Sequence, residues 1–301
     1  MTPVRKQRLL ESLIFYTSVI ALVLFAVLHF PLQCRCENNV FRTLTGETIR
    51  YDQMISELRN ARMVFAGEVH SNQQHHQLQL NIIRSLHQLS VPVAIGLEMF
   101  RADNQGDLDK WASGGFTEEE FIRKYQQNWS LPWPLYREIF LYARNNAIPL
   151  VGLNIPAEIT KKVAVAGFSS LNEDELRRLP PETGCMVNEQ YMKFIRRAYS
   201  MHGHGDSQFR YFCEAQLLWD QVMARNLLEF SKKNPEKTIV VIAGNGHAWK
   251  RGMPEQVRNL SHKTPFRVVL PYIPGAVEPR LITAEDADFI HFYSEDIPVD
   301  K

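Results

Sequence analysis

Two short stretches carry the side chains best suited to chemistry. Gly67-Glu68-Val69-His70 and Gly244-Asn245-Gly246-His247 share the spacing G-x-x-H, and each follows an apolar run, at 63–66 and 238–243. A third run, 93–97, ends at Glu98, and a fourth, 148–153, ends at Asn154. Imidazoles and carboxylates move protons and ligate metals near neutral pH. If these runs are neighbouring strands, Glu68, His70, Glu98, Asn154, Asn245 and His247 converge on one pocket. An unpaired carboxylate at a buried strand end is costly, so Glu98 needs a partner there.

The same groups allow two chemistries. His70, Glu98 and His247 can hold a divalent metal that keeps an open position and activates water. Without a metal, a glutamate raised in pKa by burial beside histidines can act as general base in ester cleavage, and the same three residues are then catalytic. Gln216 and Asp220 lie four residues apart on one helix face, and Asp220 is placed to accept the second ring N–H of His70 or His247. The segment 201–205 (MHGHG) holds His202 and His204, with Tyr191, Tyr199 and Tyr211 near it in sequence; these are haem-ligand candidates by chemistry. His75 and His76 are expected on an exposed first helical turn, and Trp129 and Trp133 in a packed aromatic turn. His247 follows Gly246 at a strand's end, so His247→Ala is expected to cost binding more than stability. A helix after it would offer amide N–H groups to an anionic ligand.

The elements that must position these groups alternate. Strands at 63–66, 93–97, 148–153, 238–243 and 266–270 are separated by helical patterns at 72–89, 117–127, 134–146 and 254–259. Such alternation predicts an α/β fold with a largely parallel sheet flanked by helices, and a ligand crevice at the strands' carboxyl ends. The stretch 156–233 is too long for one crossover and reads as a helical insertion. Residues 51–275 then form the domain, 34–50 a linker and 276–301 a C-terminal extension.

Residues 1–33 read as an anchor. Arg5, Lys6 and Arg8 precede an uncharged apolar stretch at 13–30, longer than a signal-peptide core and near the roughly 20 residues that span a bilayer. The basic flank places the N-terminus in the cytoplasm and the rest outside it, on the periplasmic or outer face, held by residues 9–32. Lipidation at Cys34 is the weaker reading, because Pro31 and Gln33 depart from a lipobox. The net charge of +1 removes the broad electrostatic case for nucleic acid. The four cysteines form no C-x-x-C pair, although Cys185 and Cys213 could bond.

The motifs GEVHSN (67–72), GLEMF (96–100), EAQLLWDQVMA (214–224) and IAGNGH (242–247), with 134–154, resemble the ChaN-like haem-binding-uptake branch of the Tiki/TraB superfamily. That superfamily also includes the erythromycin esterases. The resemblance implies haem or iron-compound binding in acquisition at the cell envelope, with haem as cofactor and a homodimer as one arrangement. Alternatives are a metal-dependent or Glu/His-dependent hydrolase, and a non-catalytic envelope binding module.

Overall fold

A computed structural model describes residues 39–181, 183–184, 187–198 and 206–293. The expected anchor, Cys34, Cys185, Tyr199, His202 and His204 lie outside the described residues. The described chain runs β1 (Val40–Arg42), β2 (Glu47–Ile49), α1 (Tyr51–Leu58), β3 (Met63–Glu68), α2 (Gln73–Gln88) and β4 (Val93–Arg101). Three helices follow, α3 (Gln105–Ala112), α4 (Glu118–Asn128) and α5 (Arg137–Asn145), before β5 (Leu150–Asn154). Next come α6 (Ala157–Ala166), α7 (Glu173–Arg177), α8 (Glu189–Ala198) and α9 (Asp206–Lys233). The last part holds β6 (Thr238–Gly244), α10 (Asn245–Ala248), α11 (Met253–Leu260), β7 (Phe266–Pro271) and β8 (Phe289–His291).

The strands form one sheet in the order β2-β1-β8-β7-β3-β6-β4-β5. From β8 to β5 all pairings are parallel, while β1 runs antiparallel to both β2 and β8. The sheet therefore reaches beyond 51–275 on both sides. β1, β2 and β8 are three residues each, too short to show an alternation in sequence. The central strands are buried on both faces, which is why they read as continuous apolar runs. Val64, Ala66, Ile95, Leu97, Val240 and Ile242 turn to the face covered by α1, α2, α4 and α5. Met63, Phe65, Ala94, Ile239, Val241 and Ala243 turn to the other, where α9 lays down Cys213, Leu217, Met223, Ala224 and Leu227. Within the expected insertion, α9 is thus the crossover helix that returns the chain to the sheet. α6 packs on its far side through Ile159 and Val163 against Leu218 and Val222.

One topological fact decides where the chemistry falls. β6 enters between β3 and β4, although those two are consecutive in sequence along the parallel sheet. The carboxyl ends of β3, β6 and β4 therefore lie side by side, and a parallel sheet opens its ligand crevice beyond such ends.

Candidate ligand-binding crevice

Glu68 ends β3, Glu98 lies near the end of β4, and β6 runs into α10, which carries His247. Across β3 and β6 Glu68 pairs in register with Gly244. The glycines of the two G-x-x-H motifs explain each other. A Cβ on Gly67 would stand 2.2 Å from Asn245 Oδ1, and one on Gly244 would stand 2.8 Å from His70 Cε1. Each glycine clears space for the side chain of the other motif.

The loop bearing His70 is pinned from α2. Asn72 caps that helix, accepting from the backbone N–H of Gln74 at 2.9 Å. His75 Nδ1 accepts the Val69 N–H at 2.8 Å. The expectation that His75 and His76 are exposed is corrected: they are 2% and 3% exposed, because a short loop brings the first turn of α2 back over the end of β3. Trp133 is buried in an aromatic cluster as expected, whereas half-buried Trp129 faces the crevice.

Two imidazoles face one carboxylate. His70 Nδ1 meets Glu68 Oε1 at 2.7 Å, and His247 Nδ1 meets Asp220 Oδ1 at 2.7 Å. Their Nε2 atoms lie 3.9 Å and 3.8 Å from the same Glu98 Oε1. Glu98 Oε2 accepts the Gly244 N–H at 2.6 Å, which answers the need for a partner. Tyr136 donates to Glu68 Oε1 at 2.5 Å, and His76 Nε2 stands 3.4 Å from Glu68 Oε2. Tyr191 donates to Asp220 Oδ2 at 2.9 Å. Trp129 and Trp219 set their rings edgewise 5.1 Å from His70 and His247 respectively.

The charges follow from these partners. Burial would raise the Glu68 carboxyl, but the bonds from His70 and His76 hold it down at about 2. Burial would lower His70, yet its bond to Glu68 and the charge of Glu98 lift it to about 9. His247 is also raised: burial opposes its charge, but Glu98 and Asp220 prevail. Burial pushes Asp220 up despite His247 and Tyr191, so that carboxylate leans on both partners.

The crevice has a volume of about 390 Å³. Trp129, Trp219, Trp249, Ile273 and Val277 wall it, Gln216 and Arg197 line it, and Glu68, His70, Glu98 and His247 reach into it. Among the described residues the Nε1 atoms of Trp129 and Trp249 and the Oδ1 of Asn245 are buried without a hydrogen-bond partner.

Glu68, His70, Glu98, Gln216, Asn245 and His247 are thus brought to one crevice, with Asp220 behind His247 rather than His70. Asn154 supports from beneath, donating to the Glu98 backbone carbonyl at 2.6 Å and accepting from the Trp219 indole. Tyr211 packs instead beside Gly167, away from the crevice lining. No group of three His, Cys, Asp or Glu side chains among the described residues is spaced to hold a metal ion, the expected His70, Glu98 and His247 set included. The helix after β6 is a single turn that already contains His247. His247 is itself 4% exposed, so the expected small stability cost of His247→Ala is corrected: truncation would strand the buried Asp220. Cys213 is a free, buried thiol, pushed up to about 12 by its burial. The sequence does not single out Tyr136 or His76 as a partner of Glu68; that role is recognisable only once α2 and α5 are packed against β3.

Parallel strand ends, a crevice and two histidines about a buried glutamate define an α/β protein with polar groups gathered at one end of its sheet. A family model described as haem-binding uptake, Tiki superfamily, ChaN, matches residues 54–257, and the chain belongs to that family. The fold is similar to ChaN of Campylobacter jejuni, solved with cofacial haem: 19% identity, TM-score 0.66, covering 84% of this chain and 95% of that one. It is similar also to the type III effector HopBA1, at 11% identity and TM-score 0.51, covering 80% and 91% of the two chains. An erythromycin esterase aligns at 17% identity and TM-score 0.48, over 77% and 76%. No curated protein sequence matches.

Proposed function

We propose that this chain binds haem or a haem-like iron compound in the crevice at the ends of β3, β6 and β4. The observation that carries the reading is an apolar wall of three indoles bordering buried polar atoms that have no partner among the described residues. The group fits that lining: a flat, largely apolar macrocycle suits a wall of Trp129, Trp219, Trp249, Ile273 and Val277 bordered by the His70 and His247 imidazoles. Bound haem would supply a redox-active Lewis-acidic iron. The chain's part is to orient the ring, shield it from water through Trp129 and Trp219, and hold protons at His70 and His247. Family membership supports this ligand, and the likeness to ChaN supports the fold that would hold it. The apolar stretch at 13–30 supports a place outside the cytoplasm, anchored in a membrane. Among the described residues no helix is long and apolar enough to cross one.

Haemin titrated into the purified full-length protein should give a saturable Soret change together with quenching of tryptophan emission. A linear, unsaturating response would contradict haem binding. Recovery of the whole chain in a soluble cell fraction would contradict the anchor.

A second reading, hydrolysis without a metal, is favoured by one observation: two carboxylate-backed imidazoles flank Glu98. It requires turnover of an activated ester that Glu98→Gln abolishes and EDTA leaves intact. An unchanged rate in Glu98→Gln removes it.

A further inference from the structure

Each crevice imidazole is backed by the same succession of groups: ring, carboxylate, phenol. His70 Nδ1 meets Glu68 Oε1 at 2.7 Å, and the Tyr136 hydroxyl donates to that oxygen at 2.5 Å. His247 Nδ1 meets Asp220 Oδ1 at 2.7 Å, and the Tyr191 hydroxyl donates to Oδ2 at 2.9 Å. The two phenols come from unrelated places, one at the start of α5 and one on α8. All four backing side chains are buried.

We propose that Tyr136 and Tyr191 are positioning residues that lock Glu68 and Asp220 in place, so that both imidazoles keep a proton on Nδ1 and turn Nε2 toward Glu98. A buried carboxylate can rotate about its last bond, and a phenol donor removes that freedom. The carboxylate then fixes the ring's tautomer and orientation, as partners behind a ligand-facing histidine do. The inference rests on the crevice being the ligand site, but no ligand is needed to test it.

The two relays are unequal, and the inequality makes them distinguishable. On Glu68 the phenol and His70 share Oε1, while His76 stands 3.4 Å from Oε2. Loss of the Tyr136 hydroxyl leaves two imidazoles beside that carboxylate. On Asp220 the ring and the phenol take separate oxygens. Loss of the Tyr191 hydroxyl removes the donor to Oδ2, at a group whose burial already favours its neutral form. Among the described residues, the charges around His247 include Asp220 on α9, Glu98 on β4 and His70 beyond β3, and Asp220 also faces Glu255 on α11. Neutralising Asp220 therefore takes away the counter-charge bonded directly to His247.

Histidine ring ¹⁵N NMR of the full-length protein reads both tautomer and titration. In the parent, both rings should show Nδ1 protonated across neutral pH. In Tyr191→Phe the apparent pKa of His247 should fall by at least one unit, about a tenfold loss of proton affinity. In Tyr136→Phe, His70 should move by less than half as much. Asp220→Asn serves as reference and should shift His247 at least as far as Tyr191→Phe does. A His247 titration unchanged in Tyr191→Phe would overturn the inference, as would one unchanged in Asp220→Asn. If Tyr191→Phe does not fold, the parent decides: the Tyr191 hydroxyl proton should exchange slowly, and rapid exchange overturns the proposal. Failure of haemin to bind the parent would contradict the proposed function and leave these titrations standing.

Discussion

Two pairs of histidines sit near the same end of the sheet and are shifted in opposite directions. His70 and His247, in the crevice, are bonded at Nδ1 to carboxylates and face Glu98, and both are raised above the ordinary imidazole value. His75 and His291 lie at the seam between α2 and β8. There His75 accepts a backbone N–H and stacks 5.8 Å from Tyr293, and His291 contacts Asn39 at 3.2 Å. Burial lowers both seam rings to about 4, the Glu68 charge only partly opposing this at His75. Desolvation acts on all four rings. The bonded carboxylate, present in one pair and absent from the other, decides the outcome.

The largest expected effects come from removing crevice partners. His247→Ala should destabilise by about 3–5 kcal/mol in urea unfolding at pH 7, since it leaves the buried Asp220 carboxylate without its imidazole. His291→Phe keeps the ring's shape at the seam and should stay within about 1.5 kcal/mol. Equal losses at the two places would break the contrast.

The pH dependence should separate the pairs next. A seam histidine takes its proton near 6.5 when unfolded and near 4 when folded, so its stabilisation is present above 6.5 and lost as pH falls through about 4. Glu68, depressed to about 2, adds to the acid loss below its ordinary 4.5. His70 has the reverse sign: its stabilisation is full below 6.5 and disappears as pH rises through about 9. Denaturation curves from pH 4 to 10 should show His291→Phe blunting the acid side and His70→Gln the alkaline side. The smallest effect belongs to Tyr211→Phe, which should change haemin affinity by less than about twofold, because that ring packs beside Gly167 and away from the crevice lining.

Much of this was legible beforehand, for reasons that can be stated. Strands such as 239–243 stand out because double-sided burial leaves no polar position in them, and Glu98 stands out as a charge at the end of such a run. Asp220 could be picked as a partner because a carboxylate on an apolar helix face demands one. What the sequence hid was tertiary. Nothing in it says that β6 enters between β3 and β4, or that the first turn of α2 folds over a strand end and buries His75 and His76. The phenols of Tyr136 and Tyr191 reach their carboxylates across 68 and 29 positions in the chain, with no periodicity to link them.

Haemin titration of four proteins side by side tests the central claim most directly: the parent, His70→Gln, Trp219→Ala and His291→Phe. If the crevice is the ligand site, the parent and His291→Phe bind alike, while the two crevice variants lose at least tenfold in affinity. Crevice variants that bind as the parent does, with or without a loss in His291→Phe, would contradict the account.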